Sequence, residues 1–246
     1  MHIVINPKYN EFESFVRNIP AHFELEGELV YTARNQLKHF SVQGSDLIVK
    51  RYKIPYFIAR IIYTYFRSSK AKRAYNYALK LLNIGVDSPA PIAYIEQFKD
   101  GFLTHGYFVS VYETEYSVIR DLMDGTQKDE LLLKELAVYI ADLHRKGVLH
   151  LDMSPGNILY NKTDNQYHFT LIDVNRMKFL STISKEKRFK SFKRLSENEN
   201  ILTEIAKIYA AASGLNETET IEKMNRYSSR FFTSRKRSKT VKNKES

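Results

Sequence analysis

The segment His150-Leu151-Asp152-Met153-Ser154-Pro155-Gly156-Asn157 constrains this chain more than any other. A helical stripe precedes it: Leu132, Leu136, Ile140 and Leu143 recur on one face of a stretch from Lys128 to Lys146, and Gly147 ends it. Ile158-Leu159-Tyr160 follows it as a strand, and after a polar turn comes a second strand, Phe169-Thr170-Leu171-Ile172, closing on Asp173. A loop between a buried helix and a strand holds its side chains in fixed places. Here it offers one carboxylate and, five positions on, one amide oxygen. A hairpin then returns a second carboxylate, Asp173, beside Asn157.

That set of groups suits phosphoryl transfer to a hydroxyl. One carboxylate meets the acceptor hydroxyl, and the amide oxygen and second carboxylate hold the magnesium that bridges the phosphates of ATP. The spacing H-x-D-x-x-x-x-N is that of the kinase catalytic loop. Asp and Asn in a polar loop are often only turn formers, but the flanking helix, the strands and Asp173 together point to a site. Asp152 is the candidate catalytic base, Asn157 and Asp173 are the candidate metal and nucleotide ligands, and His150 is expected to support the loop by hydrogen bonding.

The first half of the chain reads differently. Leu29–Thr32, Leu37–Val42 and Leu47–Tyr52 are short strands parted by polar turns at 33–36 and 43–46, an antiparallel meander. Ile92–Ile95 and Tyr107–Tyr112 are two more strands, split by the turn Lys99-Asp100-Gly101. Between the two groups lies an apolar, aromatic stretch from Tyr56 to Phe66, then basic residues Arg67, Lys70, Lys72 and Arg73. Helical spacing continues from Ala74 to Leu82, with Leu79 and Leu82 on one face and Gly85 as the stop. Lys50 ends the third strand, where a lysine can reach the α- and β-phosphates of a nucleotide. The other reading is one solvent-facing lysine among many.

These elements predict an α+β, bilobal, protein-kinase-like fold with a cleft between the lobes. Residues 1–112 form an N-lobe with an antiparallel sheet and a helix, residues 113–233 a mostly helical C-lobe, and residues 234–246 a basic tail expected to be disordered. Several kinase parts are missing. No G-x-G-x-x-G covers the phosphates, the Asp173 turn reads Asp-Val-Asn, and no Ala-Pro-Glu follows. Asp87 is the only acid between Lys53 and Glu96, so the glutamate that usually pairs the lysine is absent; Asn76 stands near its expected place.

Composition narrows the remaining classes. The chain has 246 residues, of which 43% are hydrophobic, enough for a core. With no Cys there is neither a disulfide framework nor a thiolate metal site. No apolar run reaches the ~18–20 residues of a membrane span, and no signal peptide is read at the N-terminus. The net charge of +10 attracts polyanions. No nucleic-acid motif accompanies it, so no nucleic-acid partner is expected.

Residues 30 to 215 resemble the lipopolysaccharide core kinases, especially the Kdo kinase-like branch. The likeness is carried by Asn35, by Leu47-Ile48-Val49-Lys50-Arg51-Tyr52-Lys53, by Ser69-Lys70-Ala71-Lys72-Arg73-Ala74 and by Tyr107-Phe108-Val109-Ser110. It continues in the catalytic-loop segment and in Leu171-Ile172-Asp173-Val174-Asn175-Arg176-Met177. The resemblance implies ATP-dependent, magnesium-assisted phosphorylation of an inner-core sugar, Kdo or heptose, on a lipid A–core glycolipid. It implies Lys50 on the phosphates, Asp152 as base, and Asn157 and Asp173 on the metal. It also implies a peripheral place on an anionic membrane, at the cytoplasmic face of the inner membrane. The other readings are a protein kinase and a non-catalytic pseudokinase. The stretch Tyr56–Phe66 suits either a membrane interface or a core helix.

Overall fold

The computed structural model describes residues 1–33, 35–53 and 68–242. The chain forms two compact units: Met1–Thr114 with Asp173–Asn175, and Glu115–Ile172 with Arg176–Ser246. The stretch Tyr56–Phe66, read as interface or core helix, lies outside the described residues.

The first unit is built on a six-stranded sheet. Its strands are β1 (His2–Ile5), β2 (Glu28–Thr32), β3 (Asn35–Val42), β4 (Ser45–Tyr52), β5 (Pro91–Lys99) and β6 (Phe102–Val111). Their order across the sheet is β1-β5-β6-β4-β3-β2, and every neighbouring pair is antiparallel. The meander from β2 to β4 is the one expected from the sequence. Two of its turns follow from local chemistry. Gln43-Gly44 and Asp100-Gly101 both take positive φ, the two-residue turn whose twist matches the flanking strands. They fix the registers Val42↔Ser45 and Lys99↔Phe102.

Alternation along β4 divides its side chains between two cores. Leu47 and Val49 point to the face covered by α1 (Glu13–His22), where Phe12, Val16, Ile19 and Phe23 pack on Phe40, Ile95, Tyr107 and Val109. Neither β1 nor α1 is foreseen by the sequence reading. Tyr52, on the opposite face, packs with Tyr94 and with Ala71, Ala74 and Tyr75 of α2 (Lys70–Asn83). Ser69 caps α2 by accepting from the Lys72 N–H at 3.0 Å, and Gly85 closes it with a φ of 66°. The buried face of α2 is Ala71, Ala74, Tyr75, Ala78 and Leu81; Leu79 packs at its edge, whereas Leu82, expected beside it, is exposed. Small residues win that face because they let the helix sit close on the sheet.

The second unit is mainly helical. After the short strand β7 (Ser117–Val118) and α3 (Arg120–Asp124) comes α4 (Glu130–Arg145), capped by Asp129. Leu132, Leu136, Ile140 and Leu143 of α4 are all fully buried, as their spacing demands. Strand β8 (Val148–His150) pairs with β11 (Met177–Phe179), and β9 (Ile158–Thr163) with β10 (Gln166–Leu171). The β9–β10 hairpin turns through Asp164 and Asn165, both at positive φ. Three helices complete the unit: α5 (Lys185–Ser191), α6 (Glu199–Ser213) and α7 (Glu217–Lys242).

Residues 234–242, expected to be disordered, continue α7. The reason is visible a few turns earlier. Thr220, Met224 and Ser228 are buried at i, i+4 and i+8, and the Ser228 hydroxyl donates to the Ser196 carbonyl at 2.7 Å. A helix anchored over three turns propagates into a basic stretch with no glycine or proline to stop it. Among the described residues, no helix is long and apolar enough to cross a membrane.

Candidate active site

The first unit holds Lys50 and Asp173. Lys50 lies on β4, between Leu37 of β3 and Phe108 of β6, on the same face as Tyr52. Its ammonium donates to Asp173 Oδ1 at 2.6 Å and stands 5.3 Å from the centre of the Tyr52 ring. Both partners are largely covered, with side chains 13% and 27% exposed, so water screens the pair less than it screens a surface bridge. Asn175 Nδ2 donates to the same Oδ1 at 2.6 Å. Burial, and after it the Asp173 charge, raises the Tyr52 phenol well above its ordinary range, so it stays neutral beside the pair.

Asp173 sits just past the end of β10, with a φ of 55°. A non-glycine residue in this left-handed region is unusual, although Asp tolerates it better than most. Arg73 of α2, itself buried, donates from Nε to the Asn175 carbonyl at 3.2 Å and from Nη1 to the Ser68 carbonyl at 2.9 Å. The helix therefore contributes a cation that fixes the Asp173–Asn175 backbone instead of an acid that pairs the lysine. Asn76, considered from the sequence as a stand-in for that acid, is exposed on α2. Asp173 orients Lys50 in its place.

The second unit holds the loop from His150 to Asn157. His150 is buried and bridges two backbone groups: the Asp152 N–H donates to its Nδ1 at 3.1 Å, and its Nε2 lies 3.2 Å from the Ile172 carbonyl. Since Nδ1 accepts, the ring proton is on Nε2, and the imidazole is neutral. This is the supporting role expected of it. Met153 is buried beneath the loop. Asn157 Nδ2 donates to the Asp152 carbonyl at 2.8 Å, and the Asn157 carbonyl accepts from the Ile172 N–H at 3.1 Å. The register Leu171↔Ile158 sets that last bond, so the hairpin brings Ile172 against Asn157.

The Asp152 carboxylate carries contacts that the sequence reading missed. Arg176 Nη1 donates to Oδ2 at 3.0 Å, and Arg194 Nη1 donates to Oδ1. Arg176 belongs to the Ile-Asp-Val-Asn-Arg-Met run, but only the pairing of β8 with β11 brings it to Asp152. Nothing in the sequence marks Arg194 among the chain's many basic residues. Among the described residues no group of three or more His, Cys, Asp or Glu side chains is arranged to hold a metal. Asp173 in the first unit and Asn157 in the second each carry a hard oxygen donor of the kind magnesium takes.

A model of the lipopolysaccharide kinase (Kdo/WaaP) family matches residues 36–213. Among solved structures, the chain is similar to WaaP in complex with acyl carrier protein, with a TM-score of 0.64 at 16% identity over 94% of this chain and 99% of that one. It is also similar to the Rio2 kinase–ADP/Mg2+–phosphoaspartate complex from Chaetomium thermophilum, with a TM-score of 0.45 at 14% identity over 92% of this chain and 77% of that one. No curated protein sequence matches it. The fold is the α+β, kinase-like one read from the sequence.

Proposed function

Because the chain belongs to the lipopolysaccharide kinase (Kdo/WaaP) family, a family of phosphotransferases with a sugar hydroxyl as acceptor, we propose that it moves the γ-phosphoryl group of ATP onto Kdo or heptose of the inner core. The observation that carries this reading is the anchoring of Asp152. Its N–H donates to His150 Nδ1 and its carbonyl accepts from Asn157 Nδ2, which fixes its backbone as a base that must meet one hydroxyl requires.

In this reading the acceptor oxygen bonds to the γ-phosphorus, the bond to the β-phosphate oxygen of ADP breaks, and the hydroxyl proton passes to Asp152. Lys50 neutralises the α- and β-phosphates. Asn157 and Asp173 would hold magnesium, which when bound would supply positive charge to offset the phosphate oxygens. The amide nitrogen of Asn157 is committed to the Asp152 carbonyl, which leaves its oxygen for a cation. Asp173 keeps Lys50 in place, so the missing helix glutamate no longer argues for a pseudokinase. The protein would act peripherally at the cytoplasmic face of the inner membrane, on an anionic surface that suits its charge of +10.

Mass spectrometry of lipid A–core glycolipid incubated with the protein and Mg-ATP tests the proposal. One added phosphate on a sugar is expected, and none with Asp152→Ala, whose ATP binding should persist. Phosphate incorporation into protein substrates but not glycolipid would overturn the acceptor assignment.

A further inference from the structure

The two arginines on Asp152 have no place in the reaction as just written. One guanidinium lies on each carboxylate oxygen, at the atoms that must receive a hydroxyl proton. A carboxylate held in this way is blocked as a base. The arrangement is also unbalanced, since two cations meet one anion. Arg120 lies beside the same loop: a Cβ built on Gly156 would come within 3.2 Å of its Nη2. Two guanidinium groups on one carboxylate keep donors to spare for a second anion.

The backbone holds both arginines firmly and leaves their heads accessible. The Leu151 N–H donates to the Arg176 carbonyl at 2.9 Å, and His150 faces Met177 across the β8–β11 pair, so Arg176 is held alongside Asp152. Arg194 sits in a turn between fully buried Phe192 and Leu195, with its guanidinium 5.2 Å from the centre of the Phe231 ring. Their side chains are 54% and 30% exposed, against 15% for Asp152. A half-exposed pair such as Arg176 with Asp152 adds little stability, so support of the fold alone does not explain it. Planar guanidinium forks match carboxylate and phosphate oxygens two at a time.

We infer that Arg176 and Arg194 bind an anionic group of the acceptor, a carboxylate or phosphate on the sugar or its neighbour, and that this group draws them off Asp152 and frees the base. The inference deepens the phosphotransfer reading and rests on its assignment of Asp152. It makes the acceptor an acidic sugar or one beside a phosphate, and it couples acceptor binding to unmasking of the carboxylate. Without acceptor, Asp152 stays paired.

The test uses de-acylated lipid A–core oligosaccharide in three forms: intact, carboxyl-methyl-esterified and phosphatase-treated. Binding to wild type, Arg176→Gln and Arg194→Gln is measured by calorimetry without ATP, and turnover is measured with Mg-ATP. For the intact form each variant should raise Kd and KM on the order of 10-fold, the weight of one charge-assisted hydrogen bond, with kcat changed less. One modified form should lose the same factor on wild type and nothing more on the variants; the ester arm identifies a carboxylate and the phosphatase arm a phosphate. Arg194→Lys, which keeps the charge but not the fork, should fall between and serves if the Gln variant does not fold. Equal losses on all three forms, or a fall in kcat with Kd unchanged, would overturn the inference. Arginine-dependent binding without any phosphate transfer would leave the anion site standing and sink the phosphotransfer reading instead.

Discussion

Lys50 and Asp173, 123 positions apart in the chain, are joined by an ion pair of 2.6 Å between the lysine ammonium and the carboxylate Oδ1. The pair brings together two residues chosen from the sequence for different tasks, and it answers how the lysine is oriented without a helix glutamate. Lys50→Met should lower kcat/KM on the order of 100-fold, as loss of one charge-stabilising donor does. Asp173→Ala should weaken Mg-ATP binding as well. Asn76→Ala, at an exposed helix position, should match wild type. Nucleotide titration and steady-state rates on one acceptor check all three, and a defect in Asn76→Ala equal to that of Lys50→Met would contradict the assignment.

Gly147 carries a second prediction, about stability. It takes a φ of 76°, and a Cβ there would lie 1.9 Å from the Leu180 carbonyl oxygen. The same backbone approach makes the bond from the Leu180 N–H to the Gly147 carbonyl at 2.9 Å. Alanine adds both a left-handed penalty and a clash with rigid backbone, so Gly147→Ala should cost more than the ~1 kcal/mol of an ordinary glycine replacement. Denaturant unfolding measures it. Gly214→Ala, whose Cβ would meet nothing within 4 Å despite a φ of 63°, is the control and should cost less.

Period-2 and period-3.6 patterns are local, so β3, β4, β5, β6 and the Leu132–Leu143 stripe of α4 were legible, as were the turns at 43–44 and 100–101. The loop from His150 to Asn157, held between two strands, is legible because its residues lie within eight positions. The partners of those residues were not. Arg73 reads as one more basic residue in a basic run, yet it is buried on the Asn175 carbonyl. Arg194 reaches Asp152 from 42 positions away. The α2 face was misjudged at Leu82 because hydrophobicity alone ranks leucine above alanine, whereas close packing on a sheet favours alanine. At residues 234–242 composition suggests disorder, whereas the structure continues a helix already anchored upstream.

His144 makes the fold sensitive to acid. It is buried in α4, with Nδ1 2.7 Å from the Tyr209 hydroxyl, and burial, helped by the Arg188 charge, pushes its pKa down from 6.5 to about 3. The folded protein therefore keeps this imidazole neutral, while the unfolded chain protonates it near pH 6.5. Between those values the unfolded state binds one proton more, so acid favours unfolding. The contribution is fully present above pH 6.5 and is lost as pH falls towards 3, at roughly 1.4 kcal/mol per pH unit. Urea unfolding at stepped pH should show this slope. His144→Gln should start less stable at pH 7.5 and lose that share of the slope. An unchanged slope in the variant would place the acid sensitivity elsewhere.

If the protein acts at an anionic membrane as proposed, the end of α7 should make the contact. Residues 234–246 include six basic residues, Arg235, Lys236, Arg237, Lys239, Lys242 and Lys244, and one acid, Glu245. Residues 234–238 are exposed on the helix. Each cation near an anionic bilayer contributes about 1 kcal/mol, screened over a Debye length of ~8–10 Å. The protein should therefore sediment with anionic liposomes at low salt and release as salt rises. Deleting residues 234–246 should weaken that binding while leaving activity on a soluble acceptor fragment intact. Among the described contacts the deletion removes the exposed pair of Lys236 with Glu197, of a kind that contributes ~1 kcal/mol or less. Sedimentation by the truncated protein equal to that of the intact one would move the membrane contact to another surface. Failure of both to bind at low ionic strength would remove the peripheral-membrane part of the proposal and leave the chemistry of Asp152 untouched.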